Sequence, residues 1–102
     1  MSLEYAQLIA HVRGHCAVMG CDLDSMELSR NPIASAYDLV IDVTDIRTGG
    51  TWHGELTLSD EELVKISRER LVNIGVVVGQ IVMEALMEWQ DSTDNRAHAL
   101  PE

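Results

Sequence analysis

Apolar residues in the first part of the chain recur three and four apart: Tyr5, Leu8, Ile9, Val12, Cys16 and Met19. That spacing gathers them on one stripe, so residues 2 to 19 are predicted helical. Ser2 suits the N-cap, Glu4 suits the positive end of the helix dipole, and Gly20 suits the stop. The other side carries Ala6, Ala10 and Ala17 nearly in line, with Gly14 close by. Small residues in a row let another backbone approach, although alanine is also simply a good helix former.

Residues 21 to 35 contain Asp22, Asp24, Ser25, Asn31 and Pro32. They read as a loop with one helical turn near 25 to 29. The pattern then changes to strict alternation. Tyr37, Leu39, Ile41 and Val43 face one way, and Asp38, Asp42 and Thr44 the other. Arg47-Thr48-Gly49-Gly50 has the composition of a tight turn. Beyond it Trp52, Gly54, Leu56 and Leu58 alternate with Thr51, His53, Glu55 and Thr57. Two alternating runs around Gly-Gly predict a β-hairpin over 36 to 46 and 51 to 59, with one face apolar and one wet.

Ser59-Asp60-Glu61-Glu62 is a capping box that starts a helix. The pattern carries that helix to Trp89 or Gln90, with a bend near 73 to 75. Its polar strip is Glu62, Glu69, Asn73, Gln80 and Glu84. Its apolar arc spans roughly 180°, wider than one buried surface requires, so more than one packing partner is expected. Gly75 and Gly79 permit a close crossing. Together with Ala6, Ala10, Val82 and Leu86 they are the expected positions of close helix packing or of contact with a second copy. The polar residues 91 to 102 read as a tail.

The resulting layout is α-β-β-α: an α+β domain over residues 1 to 90, its antiparallel hairpin packed on a long C-terminal helix. A lone two-stranded hairpin is marginal in water. Extra strands are therefore expected, from residues 21 to 35 or from a second subunit, and a homodimer is the expected assembly.

Composition narrows the function. The chain has 102 residues, enough for one domain and one core. Its net charge of −10 opposes direct nucleic-acid binding, which depends on Lys and Arg neutralising phosphates. The charge serves solubility or docking on a basic surface. The two cysteines and the absence of a secretory-type N-terminus suggest a reducing, cytoplasmic setting. The longest uncharged run, residues 71 to 83, falls short of the ~20 apolar residues of a membrane span.

Candidate chemistry is sparse. His11 and His15, four apart, lie near Cys16 and Cys21, but Cys16 belongs to the apolar stripe and no second ligand pair follows. No metal site and no cofactor are expected. Residues 22 to 27 share the spaced carboxylates of a calcium loop, yet Met26 and Glu27 stand where Asp or Asn and then Gly belong. Ile33 stands at the position of the bidentate Glu. His53 shares the wet face with Glu55 and is expected near Thr44 across the strands. A His–carboxylate pair can move protons, but no nucleophile motif accompanies it.

The pattern therefore favours a small, acidic, non-enzymatic binding module. Its partner-binding residues are expected to be Asp38, Asp42, Asp45, Trp52, His53 and Glu55. Its partner is expected to be a basic protein surface, including one that normally holds nucleic acid. Small acidic inhibitors encoded by phages against host defence systems share this composition. Two other readings remain open: a secretion or assembly chaperone using apolar grooves, and a small-molecule or metal-binding domain with a site near His53.

Overall fold

A computed structural model describes residues 3–99, with side chains described from 3 to 92. Ser2, the expected cap of the first helix, lies outside the described residues, as do residues 100–102. The element order is α1 (Tyr5–Val18), β1 (Cys21–Asn31), β2 (Ala36–Asp45), β3 (Thr51–Ser59), α2 (Asp60–Arg70) and α3 (Ile74–Ala99). The chain is an α+β domain of three helices and one antiparallel sheet, in strand order β1-β2-β3.

The apolar stripe of α1 buries Leu8, Val12 and Cys16. Tyr5 stays half exposed, but its hydroxyl donates to the Met26 carbonyl at 2.8 Å and ties the helix start to β1. The chain then reverses at Gly20, whose φ of +71° is costly for a residue with a Cβ.

Residues 21 to 31, expected to form a loop, are an edge strand. β1 pairs with β2 from Cys21↔Asp45 to Asn31↔Ala36, with a register shift between Leu23 and Ser25. That bulge conceals the strand's period. Cys21 and Leu23 point inward before it, and Met26 and Leu28 after it, so odd positions hand over to even ones. The many Asp and Ser residues belong to the strand's wet side. The hairpin of β2 and β3 forms as the alternation predicts, in unbroken register from Thr44↔Thr51 to Ala36↔Ser59. Gly49, at φ +75°, closes its turn.

The long helix expected from the capping box is two helices meeting at 99°. Ser59 caps α2, its hydroxyl accepting from the Glu62 N–H at 3.4 Å. α2 ends at Leu71 in the left-handed region (φ 56°). Asn73 then restarts the chain, its side-chain oxygen accepting from the Val76 N–H at 3.0 Å. The expected bend near residues 73 to 75 is thus a full break. α3 continues to Ala99, so residues 91 to 99 of the expected tail are helical. Those residues are polar but include neither Gly nor Pro, the usual helix stops.

One core joins all six elements. Leu39, Ile41, Val43 and Leu58 from the inner sheet face meet Leu8, Val12 and Cys16 of α1, Leu63 of α2, and Val77, Val78, Val82 and Leu86 of α3. Val82 and Leu86 have no exposed surface. They serve this chain's own core and are closed to a second copy. The breadth of the apolar arc is accounted for within one chain, by the break into two helices and by burial of α3 between α1 and the sheet. α1 and α3 run side by side in the same direction, His11 against Gly75 and His15 against Gly79. Ala6 and Ala10 face outward on α1. Among the described residues no single helix is long and apolar enough to cross a membrane.

Candidate interaction face

All three helices lie on the inner side of the sheet, so its outer side is bare. Alternation sends Asp38, Val40, Asp42 and Thr44 of β2 to that side, and Thr51, His53, Glu55 and Thr57 of β3. β1 adds Asp22, Ser25, Glu27 and Ser29, with Asp24 at the bulge. Six carboxylates and one imidazole therefore share one surface: Asp22, Asp24, Glu27, Asp38, Asp42 and Glu55, with His53.

Cross-strand hydrogen bonds hold Asp24, Asp38, Asp42 and His53 in place. Asp42 is the hub: one oxygen accepts from the Ser25 hydroxyl at 2.7 Å, and the other meets His53 Nδ1 at 2.8 Å. The Thr44 hydroxyl donates to Asp24, and the Thr57 hydroxyl donates to Asp38 at 3.2 Å. The expected neighbour of His53 was Thr44. The observed register instead sets His53 opposite Asp42 and Thr44 opposite Thr51. Five residues, 46 to 50, separate the strand ends, and the bond from the Asp45 N–H to the Gly50 carbonyl sets that pairing.

The electrostatics follow from the geometry. Hydrogen bonds from Ser25 and then from His53 hold the Asp42 carboxyl below the usual carboxylate range. The bond to Asp42 raises the His53 pKa, and the Asp42 and Glu55 charges add to that effect. Ser25 donates to the carboxylate and does not touch the imidazole. Ser25, Asp42 and His53 therefore lack the serine-to-base contact that activates a nucleophile.

Two expected contact residues lie elsewhere. Asp45 is buried, with 4% exposure. One of its oxygens accepts from the Arg47 N–H at 2.9 Å and the Thr48 N–H at 3.4 Å, closing the turn. The other accepts from the Gln90 amide at 3.3 Å, which also donates to the Met19 carbonyl at 2.9 Å. Asp45 thus joins the turn, α1 and α3 and is withdrawn from a partner surface. Its odd number gives it the inward phase of Leu39, Ile41 and Val43, a signal that the expectation of a contact residue passed over. Trp52 folds onto the inner side. Its ring covers Gly54, where a Cβ would stand 2.6 Å from Trp52 Cζ3, and stacks with Trp89 at 6.5 Å between centroids. Asp22, Asp24 and Glu27 were missed as face residues because β1 was read as a loop.

The helical acidic strip is separate and partly neutralised. Arg70 donates to Gln80 at 2.6 Å and lies 3.9 Å from Glu84. His15 Nδ1 bonds the His11 carbonyl at 2.7 Å, and both rings lie against α3 glycines. Burial, with a contribution from neighbouring Cys21, pushes the Cys16 thiol up to about 11. Among the described residues, no three His, Cys, Asp or Glu side chains cluster as a metal site. Comparison of the chain with protein-family models, with curated proteins and with solved structures gives no match in any of the three.

Proposed function

We propose that this chain is a non-enzymatic binding module that presents the outer face of its sheet to a basic protein surface. The observation that carries this reading is the placement of six carboxylates on the one side of the sheet that no helix covers. Among the described residues, the basic group on that face is the His53 imidazole, already engaged by Asp42. An array of carboxylates, three of them held by cross-strand hydrogen bonds, suits a surface rich in Lys and Arg, including one shaped for nucleic-acid phosphates. Such a module acts as an inhibitor or adaptor, occupying the basic surface and blocking what normally binds there.

The test is charge reversal. Purified chain is used to capture partners from lysate at low salt, beside Asp42→Lys/Glu55→Lys and, as control, Glu69→Lys/Glu84→Lys. Loss of a basic partner in the first variant and its retention in the control supports the reading. Retention by both variants makes the charge a matter of solubility and sinks it. Loss only in the helix variant moves the site to α2 and α3.

A further inference from the structure

The two edges of the sheet are finished differently. β1 is interrupted by its bulge and packs against α1. β3 has no bulge, no proline and no lysine, the devices that commonly keep an edge strand from pairing with another chain. Its ionisable side chains are His53 and Glu55.

The hydrogen-bond phase of that edge is fixed at both ends. The Asp45 N–H donates to the Gly50 carbonyl at 2.8 Å, and the Asp60 N–H donates to the Ser35 carbonyl at 3.0 Å. Bonded pairs alternate with non-bonded pairs in an antiparallel ladder. Trp52, Gly54, Leu56 and Leu58 are therefore the residues bonded to β2. The backbone groups of Thr51, His53, Glu55 and Thr57 point out from the edge, with no backbone partner among the described residues.

What flanks this edge differs on its two sides. On the inner side, β3, α2 and α3 enclose a groove of about 240 Å³ lined by Leu56, Leu58, Leu63, Ile66 and Ile81. Glu62, Glu84 and Arg70 also line it, with Arg70 3.9 Å from Glu84. On the outer side lies Glu55, with Asp38 and Asp42 one strand further in. A strand added here turns alternate side chains to the groove and to the carboxylates.

We propose that the β3 edge receives an extended segment of the partner in which apolar residues alternate with Lys or Arg. The apolar side chains enter the groove beside Leu56 and Ile81, and the basic ones lie beside Glu55. A second copy fits the edge poorly. Pairing β3 with itself brings together two chains that each carry −10 in any register, and about Glu55 it also sets two carboxylates opposite each other. The inference rests on the reading above for the sign of the partner's charge. The mode of binding comes from the edge itself.

The test is amide hydrogen exchange by NMR on the full chain, with a short synthetic peptide of alternating Lys and Val. A peptide of alternating Glu and Val is the control. With the Lys–Val peptide, the His53, Glu55 and Thr57 amides should exchange at least about tenfold more slowly. The Glu–Val peptide should leave them unchanged. Thr57→Pro, which removes one outward N–H at a position where an edge tolerates proline, should abolish the protection, and Thr57→Ala should keep it. Shift changes on the outer face without protection of the edge amides overturn strand addition and leave the acidic-face reading standing. Equal protection by both peptides overturns the charge preference. Protection in the free protein that grows with its concentration gives the edge to a second copy and overturns the proposal. Loss of capture by Asp42→Lys/Glu55→Lys tests the underlying reading separately.

Discussion

His15 occupies the notch left by Gly79, where a Cβ on α3 would stand 2.6 Å from His15 Cε1. The ring has little freedom to withdraw, because its Nδ1 bonds the His11 carbonyl. Two effects compete at Gly79. Replacing a helical glycine by alanine gains about 1 kcal/mol, while overpacking a tight contact costs about 1–3 kcal/mol. Gly79→Leu is therefore expected to destabilise by a net of up to about 2 kcal/mol. In a His15→Ala background the notch is vacated, and Gly79→Ala should stabilise by up to about 1 kcal/mol. Urea denaturation measures both. A stabilising Gly79→Leu in the otherwise unchanged chain would show that the contact is loose.

Asp45 holds three parts of the molecule through one carboxylate. Asp45→Ala leaves the Arg47 and Thr48 N–H groups and the Gln90 amide without this acceptor. Removing a buried acceptor costs on the order of 1–3 kcal/mol. The loss should appear as a lower urea midpoint. Gln90→Ala alone should cost less, because the turn keeps its two N–H bonds to Asp45. Equal stability of Asp45→Ala and the native chain would remove the structural role assigned to this residue.

The pair of Asp42 and His53 carries a pH signature on an exposed surface. His53 has its pKa raised above 6.5, so its contribution to stability is present below that pH and fades as pH rises through the folded value. Asp42 has its pKa lowered from 3.8, so its contribution is present above 3.8 and fades as pH falls through the folded value. The pair thus favours the folded state most between those two ranges. The His53 imidazole protons should titrate with a midpoint above 6.5, and Asp42→Asn should move that midpoint down. A midpoint unchanged by Asp42→Asn would mean that the 2.8 Å contact does not persist in solution.

The hairpin was legible because residues 37 to 43 and 52 to 58 alternate without a slip, and a residue's parity then gives its face. Asp38, Asp42, His53 and Glu55 follow from that rule. The partner of His53 does not, because it depends on how many residues the turn consumes. β1 escaped for a related reason: its bulge changes parity midway, leaving Cys21 and Leu23 out of phase with Met26 and Leu28. The break between α2 and α3 escaped because Leu71 takes the left-handed conformation that sequence reading assigns to Gly or Asn. The same break explains why one supposed helix carried an apolar arc too broad for a single surface.

The charge-reversed variant Asp42→Lys/Glu55→Lys should fold. Both side chains lie on the outer face, away from Ile41, Val43 and Leu56. Losing the Asp42 hub frees Ser25 and His53 to bond water, while two fewer carboxylates ease the repulsion within the face. Circular dichroism should show native helix and strand content, with Tm within a few degrees of the native chain. The consequence for association is sharper. Attraction between separated charges acts over the Debye length, about 8 Å at physiological ionic strength, and mainly speeds encounter. Association of the native chain with a basic partner should therefore slow steeply as salt is raised, with dissociation changing less. For the reversed variant that slope should flatten or change sign, and for Glu69→Lys/Glu84→Lys it should stay close to native. Salt-independent association of the native chain would show that the outer face contributes shape and apolar contact and not charge, and would return the apolar groove beside β3 to first place as the binding element.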